Sequence, residues 1–187
     1  MKIRYGRPED AAYVVPLICS AIGDIAYMLT GTQDVGEAAA VLRHFYELKG
    51  NRISYENTIV AELDGRPVGF ALFYHGSRME QLDEPLVERI EALTHKKGVR
   101  FTKEAQADEF YLDSLAVDTD YQGRGIAKAL LAAFEAEAGK RGYARIALIV
   151  ESDNAHARRI YEKIGYVKDS ELELFGHIYE HMVKITG

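Results

Sequence analysis

Apolar residues recur along the chain with two different periods, which predict strands and helices in turn. Short apolar runs bounded by glycine or polar residues favour strands, and longer stretches with apolar residues three and four apart favour helices. The predicted strands lie at 3–5, 58–63, 68–74, 109–117, 144–150, 166–174 and 177–185. The predicted helices lie at 8–29, 34–48, 85–94, 126–138 and 154–163. This order predicts an α/β fold in which a mixed central sheet is flanked by helices.

The stretch from Glu109 to Lys128 combines a buried strand, a glycine-bearing turn and the start of a helix. Gly123 and Gly125 lack a Cβ, so the backbone can turn sharply there and a ligand can approach it closely. The first amides of a helix have no intrahelical partner and favour negative charge. The turn is therefore a candidate phosphate site.

Three interpretations of this turn compete. The simplest is a strand–helix connection that only needs glycine. A dinucleotide-binding turn, and with it a nucleotide-dependent oxidoreductase, requires G-x-G-x-x-G directly after a strand. Here Lys128 stands at the third glycine position, and five residues separate Val117 from Gly123. The third interpretation is a family resemblance.

Two motifs carry that resemblance. The segment QGRGIA at 122–127 resembles the Q/R-x-x-G-x-G/A signature of the GCN5-related N-acetyltransferases, the GNAT superfamily. The segment NAHARRIYEKIGY at 154–166 resembles the N-x-x-A-x-x-x-Y-x-x-x-G-F pattern of the same family. Two motifs that occur in the same order as in the GNAT family identify that family far more specifically than either motif alone. The detailed match covers about 110–166, and the order of predicted elements resembles the GNAT fold along the full chain.

The resemblance implies that acetyl-CoA binds between two splayed strands, 109–117 and 144–150. Its pantetheine arm is expected to pair with the backbone of the first strand, and its pyrophosphate to lie on the amides of the turn. Tyr161 has the position of a tyrosine that protonates the departing sulfur, a role that suits a phenol with a pKa of about 10; packing of the last helix is the alternative. Asn154 is expected to bond the pantetheine or to cap the helix, and the two roles are compatible. The expected acetyl-CoA contacts are Leu115, Ala116, Val117, Gln122, Gly123, Arg124, Gly125, Ile126, Ala127, Lys128, Asn154 and Tyr161.

The motifs do not identify the general base. The two family positions for a carboxylate correspond to Tyr111 and Ile149, and neither can act as a carboxylate base. We predict that Asp113 has this role, because a charge in a buried strand is costly without a purpose or a partner. A base acting through a water chain is the alternative. The other nearby carboxylates are Glu62, Glu109 and Glu151.

In the GNAT family the first two helices and their link often line the acceptor site. Polar residues of this region are therefore candidate acceptor contacts, or else helix caps: Asp24, Tyr27, Thr30, Thr32 and Asp34. The segment 76–108 is interpreted as an insertion within a single domain of residues 1–187. Its charged residues predict a solvated face, with a flap over a partner or the acceptor as the alternative.

Charge and composition restrict the class of partner. A formal charge of −6 argues against a general nucleic-acid binder and is compatible with a cationic acceptor. The single cysteine, Cys19, excludes an internal disulfide and lies in an apolar pattern typical of core packing. The chain shows no signal peptide, membrane span or metal-ligand spacing. We expect a cytoplasmic protein without a metal or a nucleic-acid or membrane partner; the final hairpin, which often pairs subunits in this family, suggests a homodimer.

The sequence thus predicts an N-acetyltransferase that transfers the acetyl group of acetyl-CoA to a primary amine by direct attack in a ternary complex. The acceptor is either a small-molecule amine or a protein amine. The alternative is a non-catalytic acetyl-CoA-binding sensor or partner module, because neither familiar base position holds a carboxylate.

Overall fold

The structure is a computed structural model that describes residues 1–186. Its strands are β1 Lys2–Tyr5, β2 Thr58–Leu63, β3 Arg66–His75, β4 Phe110–Val117, β5 Arg145–Glu151, β6 Val167–Leu174 and β7 His177–Ile185. Its helices are α1 Ala11–Ile22, α2 Ile25–Thr30, α3 Val35–Glu47, α4 Met79–Thr94, α5 Ile126–Lys140 and α6 Ala155–Lys163. Within this part of the chain, no helix has the length and apolar character needed to cross a membrane.

All seven strands join one sheet in the order β1-β2-β3-β4-β5-β7-β6. β4 and β5 run parallel, and the other neighbouring strands are antiparallel. The β4–β5 pairing joins only Phe110–Leu112 to Ile146–Leu148, although both strands continue beyond these residues. The two strands therefore separate at their carboxyl ends. The predicted splay is confirmed, with each strand beginning one residue later than expected.

A β-bulge lies where the two strands separate. On β3, Leu72 pairs with Ser114 and Phe73 pairs with Leu112, so Asp113 is an extra residue in β4. An extra residue disrupts the ladder locally, bends the strand and re-aims its side chains. The bulge therefore places a carboxylate at the opening of the gap between β4 and β5.

Helices cover both faces of the sheet. α1 to α4 pack on one face around a core that includes Ile18, Leu42 and Tyr74. α5 and α6 pack on the other face, where the rings of Phe110 and Phe134 stack with centroids 5.4 Å apart. Because the sheet is covered on both faces, both sets of side chains of β4 and β5 are buried, and their sequences are almost continuously apolar. The predicted helix-flanked mixed sheet is confirmed.

Two helices differ from their predicted extents. The predicted helix 8–29 is divided into α1 and α2 at Gly23, whose φ of 52° is a conformation that favours glycine. α4 begins at Met79 and contains Pro85, whereas the sequence predicts a helix that begins at Pro85. Proline is favoured in the first turn of a helix. This preference places the predicted start of the helix at Pro85, later than its observed start at Met79. Leu82 is buried in the earlier part of the helix, so tertiary packing holds these residues in helical form.

Candidate active site

A cavity of about 250 Å³ occupies the opening between β4 and β5. One wall is formed by 112–115 of β4, and the facing wall by 148–151 of β5. α1 and α2 contribute a further wall, and Ala157 and Tyr161 of α6 line the cavity as well. The cavity therefore lies where the resemblance places the reacting end of acetyl-CoA.

The glycine turn follows the carboxyl end of β4. Gly123 and Gly125 have φ values of 73° and 78°, and a Cβ placed on either would have no neighbour within 4 Å. The turn is thus open on its outer side. α5 begins at Ile126 without a side-chain cap, so its first amides have no intrahelical acceptor. This local geometry suits a phosphate group.

Side chains of the turn brace it from within. Gln122 donates its side-chain amide to the carbonyl oxygen of Val117 at 3.2 Å and so ties the turn to the end of β4. Arg124 donates to a backbone carbonyl four residues earlier at 2.9 Å, and its guanidinium lies 5.0 Å from the ring centre of Tyr121. Lys128 is exposed and forms no ion pair within residues 1–186. Lys128 is therefore the cation of this turn that no other side chain engages.

Leu115, Ala116 and Val117 lie beyond the last β4–β5 pair. On one edge they pair with β3, and on the other edge the described chain supplies no strand partner. Such an unpaired strand edge can accept an added extended chain. Leu115 also lines the cavity. The carbonyl of Val117 accepts a hydrogen bond from Gln122 and retains a second lone pair that an added chain could use.

The second motif places its tyrosine in the cavity. Asn154 accepts a hydrogen bond from the Ala157 amide at 3.1 Å and so caps α6; it also lines the cavity, a position compatible with its second predicted role toward pantetheine. Tyr161 lines the cavity, and its ring meets that of Tyr166 edge-on with centroids 5.9 Å apart. Burial raises the pKa of the Tyr161 phenol, so its hydroxyl keeps its proton at neutral pH. A protonated phenol beside the gap is a candidate proton donor.

Asp113 is held by a buried arginine that the sequence analysis did not identify. Arg52, 2% exposed, donates from Nη2 and Nε to Asp113 Oδ2 at 2.5 and 3.1 Å. The hydroxyl of Tyr74 donates to the same oxygen at 2.5 Å. Asp113 was selected as a candidate base because a buried charge needs a purpose or a partner, and the structure shows that it has partners. Its Oδ1 forms no hydrogen bond within residues 1–186, and the residue lines the cavity.

Two more carboxylates complete this group, which we call the Arg52 cluster: Arg52, Asp83, Glu104 and Asp113. Arg52 donates to Asp83 at 3.3 Å and to Glu104 at 3.0 Å. Burial raises the pKa of Asp83 to about 6. Burial by itself would lower the pKa of Arg52, but the surrounding carboxylates raise it well above its ordinary value. The guanidinium is therefore permanently charged.

Tyr111 stands at one of the two positions where the family pattern led us to look for a base. Its hydroxyl donates to Glu104 Oε2 at 2.8 Å, and burial raises the pKa of this phenol well above its ordinary value. Glu104 belongs to the segment 76–108 and lines the cavity. A carboxylate absent from the β4 motif is therefore supplied beside it by a different part of the chain.

The other candidate carboxylates have structural partners. Glu109 is fully buried and accepts from Arg145 at 3.0 Å, and Glu62 accepts from an arginine of β1 at 2.6 Å; neither lines the cavity. Glu151 lines the cavity, and its carboxylate contacts Nδ1 of the His177 ring. No group of three or more His, Cys, Asp or Glu side chains in residues 1–186 is arranged to hold a metal ion.

The first of the two helices that the resemblance expects at the acceptor site, divided here into α1 and α2, lines the cavity with apolar residues, whereas the second, α3, contributes no lining residue. The apolar lining residues are Ala21, Ile22, Ile25 and Leu29. The five polar candidates of this region do not line it. Asp34 instead caps α3 by accepting from the Glu37 amide at 2.7 Å, and Thr32 donates to the Glu37 carboxylate at 2.7 Å. The cap at Asp34 is confirmed, and the polar acceptor contacts are replaced by an apolar wall.

The sequence analysis missed Arg52, Glu104 and Tyr179, all of which line the cavity. None of them belongs to a motif. One signal did exist: a carboxylate inside the apolar strand β4 requires a buried cation. That signal predicts that a partner exists, but not where in the chain it lies.

Comparisons with known proteins agree with this geometry. A sequence model of the Acetyltransferase (GNAT) family matches residues 33–166. The [ribosomal protein bS18]-alanine N-acetyltransferase of Escherichia coli K12 is 44% identical over 59 residues, which cover 32% of this chain and 40% of that protein. The alignment thus spans less than half of that relative.

Two solved structures share the fold. The crystal structure of an acetyltransferase matches with a TM-score of 0.81 and 28% identity, over 99% of each chain. The PaiA N-acetyltransferase of Thermoplasma acidophilum, solved in complex with coenzyme A, matches with a TM-score of 0.59 and 16% identity, over 99% of this chain and 98% of that chain.

Proposed function

The chain belongs to the GNAT acetyltransferase family, and on that premise we propose that it is an N-acetyltransferase with acetyl-CoA as its donor and a primary amine as its acceptor. The observation that carries the proposal is the unpaired end of β4 and β5, which has an open glycine turn at its edge and Tyr161 in the cavity between the strands. The coenzyme A bound to the structurally similar PaiA protein supports the same donor class.

The donor would be held mainly by backbone groups. The free edge of β4 at Leu115 and Ala116 would pair with the amide groups of pantetheine, and the amides of residues 123–128 would bind the pyrophosphate. Lys128 would add a positive charge beside the phosphates. Backbone groups are fixed by the fold, so this part of the site needs little reorganisation when the donor binds.

Tyr161 would act as the general acid. When the amine attacks the thioester carbonyl and the C–S bond breaks, the departing thiolate takes the Tyr161 proton, and the phenolate then accepts the proton that the new amide nitrogen releases. A phenol whose pKa is raised by burial is fully protonated at neutral pH before the reaction. Asn154 would keep α6 in place rather than contact the reacting atoms.

Asp113 would remove the proton from the incoming ammonium ion. Its Oδ2 is occupied by Arg52 and Tyr74, whereas Oδ1 has no hydrogen bond within residues 1–186. Arg52 would then be a positioning residue that holds the carboxylate at the bulge. The proton that Asp113 takes returns to solvent after product release.

Direct transfer is favoured over a covalent acetyl-enzyme. Ser114 is the only serine, threonine or cysteine among the residues that line the cavity. Its Oγ is buried and has no hydrogen-bond partner in the described structure, so no base activates it as a nucleophile. A ternary complex of protein, donor and amine is therefore the arrangement that we propose.

Calorimetric titration with acetyl-CoA, with NADPH as the control, tests the donor, and release of free thiol in the presence of a panel of amines tests the transfer. We expect micromolar binding of acetyl-CoA, about −8 kcal/mol, and thiol release that depends on an amine. Binding without thiol release would support the sensor interpretation. No binding of acetyl-CoA would overturn the proposal. The panel of amines should include a peptide that begins with alanine, because the Escherichia coli relative is named for that acceptor.

A further inference from the structure

The Arg52 cluster contains more negative than positive charge. One guanidinium faces three carboxylates, those of Asp83, Glu104 and Asp113. Side chains of the four residues are at most 11% exposed. Two surplus negative charges in a buried cluster are unfavourable unless a cation approaches them.

The cavity supplies no protein cation to balance this surplus. Arg52 is the only lysine, arginine or histidine among the residues that line it, whereas Glu104, Asp113 and Glu151 line it as carboxylates. Glu151 contacts the His177 ring and does not belong to the Arg52 cluster, so the carboxylates of the cluster that line the cavity are Glu104 and Asp113. A ligand that enters here is therefore the source of the missing positive charge.

A second observation points to a ligand at the same place. Ser114, beside Asp113 on β4, lines the cavity and is 8% exposed. Its Oγ is buried without a hydrogen-bond partner in residues 1–186. A buried hydroxyl without a partner is unfavourable, and an ammonium group in the cavity would donate to it. Opposite, Ile22, Ile25 and Leu29 form an apolar wall that suits an aliphatic chain.

We propose that the acceptor is a small aliphatic amine that carries a second positive charge, and that Glu104 selects this charge. The inference rests on the proposed function and concerns the acceptor end of the same cavity. It also gives the segment 76–108 a role, because this segment places Glu104 against Tyr111 and Arg52.

The proton balance explains why one positive charge is not enough. The reacting ammonium ion gives one proton to Asp113, which neutralises one surplus negative charge and leaves a neutral amine. Glu104 accepts hydrogen bonds from Arg52 and Tyr111, but the single guanidinium is also shared with Asp83 and Asp113, so no cation is dedicated to its carboxylate. A second ammonium on the acceptor would balance it. An acceptor that carries a carboxylate would instead be repelled.

The test compares three amines that each have four carbons and differ at the end distant from the reacting amine: 1,4-diaminobutane, n-butylamine and 4-aminobutanoate. Thiol release from acetyl-CoA gives kcat/KM for each. We expect 1,4-diaminobutane to exceed n-butylamine by about tenfold, with 4-aminobutanoate the poorest. Equal values for the three amines, or a higher value for an alanine-initiated peptide than for the diamine, would overturn the proposal.

The variant Glu104→Gln tests the residue itself. We expect it to reduce the preference for 1,4-diaminobutane over n-butylamine to about twofold or less, with acetyl-CoA affinity unchanged. Glu88→Gln is the control, because Glu88 is exposed, lies on α4 and loses the same charge. A preserved preference in Glu104→Gln would assign the selection to another group and overturn the proposal. If Glu104→Gln unfolds, the comparison of amines in the unmodified protein decides: equal kcat/KM for 1,4-diaminobutane and n-butylamine would contradict a charge-based selection.

Failure of the proposed function would look different. It would appear as no acetyl-CoA binding and no thiol release with any amine, whereas failure of this inference alone would appear as thiol release without a preference for the dication.

Discussion

The two ends of the cavity are built in different ways. The donor end is one continuous stretch, 115–128, in which backbone groups of a strand edge, a turn and a helix start are arranged by local geometry. The acceptor end is the Arg52 cluster, made of side chains from four separate segments and closed over by the apolar wall of α1 and α2. The donor end is thus open and independent of most side chains, while the acceptor end is buried and depends on each of them.

This difference predicts opposite responses to substitution. A change at the donor end should alter ligand affinity with a limited effect on folding, because the turn is on the surface. A change in the Arg52 cluster should alter stability first, because each member is buried and its removal leaves charges without partners.

Arg52→Leu should produce the largest effect. It leaves three buried carboxylates without their shared cation, and we expect the free energy of unfolding to fall by about 3–5 kcal/mol. Urea unfolding measures this. Arg43→Leu is the control, because Arg43 is 58% exposed and pairs with Glu47 on the surface of α3; a change of about 0.5 kcal/mol or less is expected there. Equal small effects in the two variants would contradict the cluster's structural role.

Tyr161→Phe should lower kcat about 100-fold, the effect typical of a lost general acid, while acetyl-CoA affinity stays within about threefold. Thiol release and calorimetry measure the two quantities. Tyr166→Phe is the matched control: this neighbouring phenol is buried, has no hydrogen-bond partner within residues 1–186 and does not line the cavity. Similar losses in the two variants would show that packing, rather than proton donation, explains the effect.

The pH dependence of stability tests the acceptor end without a large change in packing. Burial raises the pKa of Asp83 from 3.8 to about 6, so the folded protein binds this proton more tightly than the unfolded chain does. The contribution of Asp83 to the free energy of unfolding is therefore greatest below a pH of about 4, and about 3 kcal/mol of it is lost as the pH rises past about 6.

Urea unfolding between these pH values should show that loss, and Asp83→Asn should remove it, because asparagine does not titrate. Asp108→Asn, which changes an exposed carboxylate of the same segment, should leave the pH dependence as it is. An Asp83→Asn protein with the unmodified pH dependence would contradict the assignment to Asp83.

Gly125→Val should weaken acetyl-CoA binding by about tenfold, because valine at a φ of 78° strains the backbone and reshapes the turn. Gly142→Val is matched to it: Gly142 has a φ of 76°, and a Cβ there would also have no neighbour within 4 Å, but it follows the end of α5, away from the turn. Both variants should lose about 1–2 kcal/mol of stability. Only Gly125→Val should lose affinity, and equal affinities would contradict the phosphate role of the turn.

The same contrast decides how much the sequence could predict. The strands and the glycine turn follow from local patterns, since apolar runs and glycine positions restrict nearby backbone directly. The splay between β4 and β5 is implied by the family resemblance. The Tyr161 position follows from its motif. Local patterns do not predict the division at Gly23 or the start of α4 at Met79, because tertiary packing competes with local preference at both places.

The Arg52 cluster could not be assembled from the sequence. Its consecutive members are 31, 21 and 9 residues apart along the chain, and no periodicity connects Arg52 with Glu104 or Asp113. A carboxylate in β4 indicates that a cation is needed, but many arginines could supply it. Which one does is fixed by the packing of α4 and the following loop against the sheet.

A crystal structure of the protein with coenzyme A is the most direct test of the account. We predict that the pantetheine arm lies between β4 and β5, that the sulfur is within hydrogen-bond distance of the Tyr161 hydroxyl, and that the pyrophosphate contacts the amides of residues 123–128. Coenzyme A bound outside the gap, or a pyrophosphate held away from the glycine turn, would contradict the proposed donor site and the role of Tyr161 with it.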